Sequence, residues 1–133
     1  MQKLFPEKPK SNALNPDRII AILFYLHDAA HLKHLQTTGF AEHKALDILY
    51  TQLVSFKDEI GEMLLGYIAP RRFSKFESIP VKDMHHNDLV EQVIKFADDL
   101  YYYAEENKWW ALSNKAQDLS GLGLKIKYLL TLE

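Results

Sequence analysis

Residues 40–68 read FAEHKALDILYTQLVSFKDEIGEMLLGYI, and the periodicity of this segment decides how the rest of the chain is read. Leu46, Leu49, Leu53, Phe56, Ile60 and Leu64 recur at spacings of three and four, the period of an α-helix with one buried stripe. At about 100° per residue from His43, these side chains fall between roughly 220° and 300° on the helical wheel. Asp47, Asp58 and Glu62 fall near about 40°, 60° and 100°, so the acids face away from the stripe. Gly61 and Gly66 weaken the last turns without ending them, and Pro70 stops the helix.

Three further helices surround this one. Upstream, Asn15-Pro16-Asp17 supplies a cap, a proline at the first helical position and an acid in the first turn. That first helix is expected to run to about Thr37, with Gly39 as the break. Downstream, residues 69–86 hold Pro70, Pro80 and RRFSKFES without a sustained period, and read as a long connection. Asn87 is expected to cap a third helix reaching about Asn107, and a fourth follows NKWW to the C-terminus. Residues 1–14, with Pro6, Pro9 and three lysines, read as a flexible arm ahead of one domain over 15–133.

The expectation is an all-α four-helix bundle with one long crossover between the second and third helices. Short links make two antiparallel hairpins. The middle link of about 18 residues reaches on the order of 55 Å when extended, against roughly 42 Å for the second helix. It is long enough to return along the whole bundle, and equally able to fold back locally.

Composition narrows the function. The 133 residues are 47% hydrophobic and 26% charged, which suits one globular domain. A formal net charge of −2 argues against nucleic-acid binding led by electrostatics. There is no cysteine, which excludes disulfides, thiolate metal sites and cysteine nucleophiles. The apolar run IIAILFYL at 19–26 is too short to span a bilayer, and no signal-peptide pattern opens the chain. A cytoplasmic protein is expected.

The first helix is apolar nearly all round, with Ile20, Leu23 and Phe24 on one side and Ile19, Ile22 and Leu26 on another. One bundle core covers only one side, so the spare surface predicts a homo-oligomer. His27, His31 and His34 follow one stripe of this helix and end near the start of the second. Imidazoles combined with two or three carboxylates suit a divalent first-row ion, iron(II) especially. The Glu-x-x-His pairs of intrasubunit di-iron bundles are absent from the first two helices. The acids therefore face water or another subunit.

The spacing of His31, His43, Asp47, Asp58 and Glu62 resembles the ferroxidase motif of Dps proteins, the mini-ferritins. The second histidine lies twelve residues after the first, an acid follows four residues on, and an Asp-x-x-x-Glu pair begins eleven residues later. Leu32 stands where that family usually has tryptophan. A short deletion in the loop would make His34 the first histidine instead, so both are retained, with His31 favoured by spacing. The resemblance implies a ferritin-like bundle with iron, as a di-iron or mononuclear centre, held between His31 and His43 of one subunit and Asp58 and Glu62 of its mate, with Asp47 assisting. It also implies ferroxidase activity and a hollow dodecamer. Lys3, Lys8 and Lys10 resemble the lysine-bearing tails some Dps proteins use on DNA, but with Glu7 among them they make a weak phosphate binder.

The AEHKAL segment and the YLLTL ending are also similar to small ferritin-like proteins of tailed phages. The alternative reading is therefore a non-enzymatic structural or packaged protein, in which case the location is phage-associated. Lys44 and Lys57 flank the acids and can supply positive charge in place of a metal. His27 is expected as a packed interface residue, and His85 and His86 as capping or solvent groups. The runs YYY (101–103) and WW (109–110) are expected in core and interface.

Overall fold

A computed structural model describes residues 14–132, so apart from Leu14 the expected arm lies outside the described residues. Four helices make up the fold: α1 (Pro16–Gln36), α2 (Phe40–Ile68), α3 (His86–Asn107) and α4 (Trp110–Leu129). Among the described residues there is no strand.

Local chemistry sets most of the boundaries. Asn15 Oδ1 accepts the Arg18 amide hydrogen at 2.9 Å and caps α1. The Thr37 backbone N–H bonds back to His34 O and closes it. Gly39 is the N-cap of α2, which spans the expected residues. For α3 the cap differs from expectation. His85, not Asn87, occupies the cap position, and its Nδ1 accepts the Asn87 N–H at 3.1 Å. An imidazole lone pair two residues before that amide does the work expected of an Asn side chain.

α1 packs on α2, α3 on α4, α2 on α4 and, over a smaller area, α1 on α3. All six apolar stripe residues of α2 are buried. They meet Leu23 and Leu26 of α1, Leu89, Val93 and Leu100 of α3, and Leu112, Leu119 and Ile126 of α4 in one core. Close approach of the helices uses two glycines: a Cβ at Gly61 would lie 3.3 Å from Ile20 Cδ1, and one at Gly123 only 2.6 Å from Ile94 Cγ1.

The connection between α2 and α3 runs along α1 rather than folding back. Its backbone N–H groups at Ser74 and Lys75 reach Asp17, Phe76 packs edge-on against Phe24, and Asp83 meets Lys33. α1 rises about 24 Å from Asp17 to Lys33, a span that nine residues cover only when nearly extended, at roughly 30 Å. α3 therefore starts beside the N-terminus of α2, where His86 Nδ1 lies 3.1 Å from Glu42 Oε1. The two helices run parallel, and α4 returns from Tyr67, whose hydroxyl accepts the Ala111 N–H.

This strap changes the reading of α1. Ile19, Ile20, Leu23 and Leu26 are all buried within the chain, and Ile22 is half-buried against the core. Phe73, Val81 and Met84 of the connection pack on the same core. Most of the apolar surface assigned to a subunit contact is thus covered by the chain itself. The connection forms an extra layer that the count of four helices leaves out.

Candidate functional site

Where α1 ends and α2 begins, three histidines and a tyrosine are gathered. The rings of His34 and His43 lie 4.0 Å apart between centroids. His31 is one ring further along, 6.4 Å from His34, and stacks on Tyr50 at 4.5 Å. Tyr50 also touches His34 at 4.9 Å and His27 at 6.2 Å. His43 is thus paired with His34, the alternative first histidine, rather than with His31. The short turn at residues 37–39 tucks the start of α2 against the last turn of α1, and His34 is the α1 histidine on that turn.

Hydrogen bonds define the tautomers of the pair. His34 Nδ1 lies 3.3 Å from the His43 carbonyl oxygen, which can only accept, so Nδ1 carries the proton. Thr37 Oγ1 donates to His34 O at 2.9 Å and so accepts from His43 Nδ1, also at 2.9 Å. Both rings, when neutral, keep their lone pair on Nε2. Backbone and hydroxyl partners at Nδ1 are the arrangement that orients metal-binding imidazoles.

The acids stand apart from the rings. Asp47 follows His43 by one turn and is half-buried. Asp58 and Glu62 are exposed, on the rim of a cavity of about 550 Å³ that Ile20, Phe24, Val54, Leu65 and Phe73 line in part. Along α2 they lie about 22 Å and 28 Å beyond His43. Among the described residues of one chain, no three His, Asp or Glu side chains converge on a point that could hold a metal ion. An interface set of the kind the spacing suggested would need a second copy.

Lys57 lies beside these acids, its Nζ 4.1 Å from the centroid of the Phe24 ring. Burial, and then the Lys57 charge, hold the His27 imidazole below its ordinary pKa. His27 Nδ1 is buried and, among the described residues, has no well-aligned hydrogen-bond partner; the Asp28 carboxylate lies 3.4 Å away. His85 caps a helix, as one of its expected roles had it, but His86 engages Glu42. At the far end Trp109 stacks on Tyr67 at 4.5 Å and meets Tyr103 edge-on at 5.7 Å. Tyr101, Tyr103 and Trp109 pack against the core, whereas Trp110 is exposed, so the two runs are core residues only in part. Sequence reasoning missed Thr37 and Tyr50. Tyr50 lies seven residues after His43, almost in line with it on the wheel, and that signal was present.

Comparison with known proteins gives a family and one relative. The profile of a family of unknown function, DUF5856, matches residues 34–130. A phage protein described as "Uncharacterized 14.6 kDa protein in mobD-ri intergenic region", from Enterobacteria phage T4, is 28% identical over 117 residues, 88% of each chain. No solved structure matches significantly. Among the described residues no helix is long and apolar enough to cross a membrane.

Proposed function

The chain belongs to this family of unknown function, DUF5856, and we propose that it is a ferritin-like, Dps-like protein that takes iron(II) as substrate at a contact between two copies. One observation carries the reading: His34 and His43 form a pair whose Nδ1 atoms are tied inward, leaving both Nε2 lone pairs for a metal. Two imidazoles alone do not balance a ferric ion. Asp58 and Glu62, one turn apart and outward-facing, have the oxygen chemistry to complete the set. Their distance from the rings within one chain is what a twofold contact would close. The extended strap that leaves α2 and α3 parallel is the topology such a relationship implies.

In this reading His34 takes the place that spacing assigned to His31, and Asp47 supports His43 from the next turn. The oxidant is oxygen or peroxide from solution, and the carboxylates hold the ferric product. The test is anaerobic iron(II) titration followed by exposure to oxidant. Iron should be oxidised faster with the protein than without it. Both Asp58→Asn with Glu62→Gln and His34→Gln with His43→Gln should abolish the difference. An unchanged rate in either pair of variants would remove the reading.

A second reading is favoured by the phage relative and by Lys57. Here the acids meet lysines of a neighbouring copy or of another particle protein, and no metal is bound. In that case iron(II) titration gives no saturable binding, while the acid variants still alter assembly.

A further inference from the structure

At the opposite end of the bundle from the histidines, α1 begins beside the start of the strap. Between them lies an open cavity of about 450 Å³ lined by Arg18, Arg71, Arg72, Lys75, Asp17 and Glu77, among others. Both acids are engaged. Asp17 Oδ1 accepts the backbone N–H groups of Ser74 at 2.9 Å and Lys75 at 3.4 Å. Glu77 faces Arg18 at 3.8 Å. Among the described residues, no acid forms an ion pair with Arg71, Arg72 or Lys75.

Four cations against two acids leave this lining two charges positive, within a chain whose formal net charge is −2. The first turn of α1 adds its own positive end. Nothing in the fold requires cations to gather here, because the strap is tied down by Asp17 and by Phe76. The volume falls within the range of small-ligand sites, about 300–1,000 Å³. Guanidinium groups offer paired donors that match phosphoryl oxygens, and a dianion uses three cations without a described acid partner better than a single carboxylate would.

We propose that this cavity binds a phosphoryl group, carried either by a free phosphate ester such as a nucleotide or by a nucleic-acid strand. The proposal is independent of the iron reading, since it uses none of the same residues. The chain has two tryptophans, and Trp109 stacks on Tyr67, the neighbour of the lining residue Ile68. Intrinsic fluorescence therefore reports from this end of the molecule.

Calorimetric and fluorescence titrations with pyrophosphate, with ADP and with a short single-stranded oligonucleotide test it on the full chain. Saturable binding of at least one of these is expected, with sulfate competing. Arg71→Gln with Arg72→Gln should weaken that binding about tenfold or more. Both side chains are exposed and, among the described residues, neither pairs with an acid, Arg71 lying near the Tyr103 hydroxyl. The unliganded melting temperature should therefore change little, and His34→Gln should bind as the parent does. Tighter binding of ADP than of the oligonucleotide identifies a free ester as the source, and the reverse identifies a strand. Binding of none of the three, or equal affinity in the double variant, overturns the proposal.

Discussion

Thr37 illustrates how much of this site rests on single side chains. Its hydroxyl links the last turn of α1 to the His43 ring, donating to one and accepting from the other. In Thr37→Val the ring loses that acceptor and both its tautomer and its orientation are freed. Affinity for cobalt(II), a spectroscopic stand-in for iron(II), should fall about tenfold, as is usual when the outer partner of a metal-binding imidazole is removed. Equal affinity would mean that the pair does not bind through Nε2. His27 gives a prediction on pH. Its folded pKa is held below the unfolded value by burial and Lys57, with a smaller push from His31 and an opposing pull from Asp28. As pH falls below about 6.5 the unfolded chain takes up a proton that the folded chain resists, so stability is lost. The contribution is fully present above that pH. Denaturant melts from about pH 7.5 down to pH 5 should show a shallower loss in His27→Gln than in the parent.

At the scale of elements, close contact separates two glycines of α4 that look alike in sequence. Gly123 faces Ile94 and Val93, and a Cβ added there would lie 2.6 Å from Ile94 Cγ1, so the side chain or the helix would have to move. Gly123→Ala should cost about 1–3 kcal/mol. Gly121 has open space around its Cβ position, so Gly121→Ala should gain up to about 1 kcal/mol from helix propensity. Urea unfolding of the two variants checks both signs. On α2, Leu53 is fully buried and its neighbour Val54 is exposed. Leu53→Ala should cost about 2–5 kcal/mol in the same assay, and Val54→Ala far less. This stripe was legible because a period of 3.6 in large apolar residues has no other stable use over 29 residues. The His85 cap was not, because an imidazole caps only when its rotamer brings Nδ1 to the amide, and residue type does not disclose that.

At the scale of the whole molecule, the iron reading requires a second copy on the α1–α2 face. The strap takes up most of the apolar surface of α1, yet Phe24 and Val54 remain exposed at the cavity that Asp58 and Glu62 help to line, and Phe76, packed against Phe24, is exposed too. If two copies meet there, light scattering should report a dimer or a larger assembly at micromolar concentration. Val54→Glu should weaken that assembly while leaving the helical circular dichroism intact. Charge placed at Leu23 cannot serve the same purpose, because that side chain is fully buried in the core. A strict monomer in the parent would leave the rings and the acids of the iron reading permanently apart.

The sequence by itself determined the helices, most of their limits to within a residue or two, and which face of α2 is buried; α4 stops at Leu129, short of the C-terminus to which it was expected to run. Each follows from neighbours along the chain: a capping side chain, a proline, a repeating apolar position. It also marked one end of the first two helices as rich in histidine. Tertiary structure alone decided the path of residues 69–85, since a link of that length satisfies either topology and only side-chain contacts such as Asp17 with Ser74 choose between them. It decided equally that His34, and not His31, faces His43, and that Arg71 and Arg72 share a cavity with α1. Spacing along one helix reports angle and rise, whereas the meeting of two helices depends on how closely their turns approach. That approach is set by packing across the bundle, where residues far apart in the chain compete for the same volume.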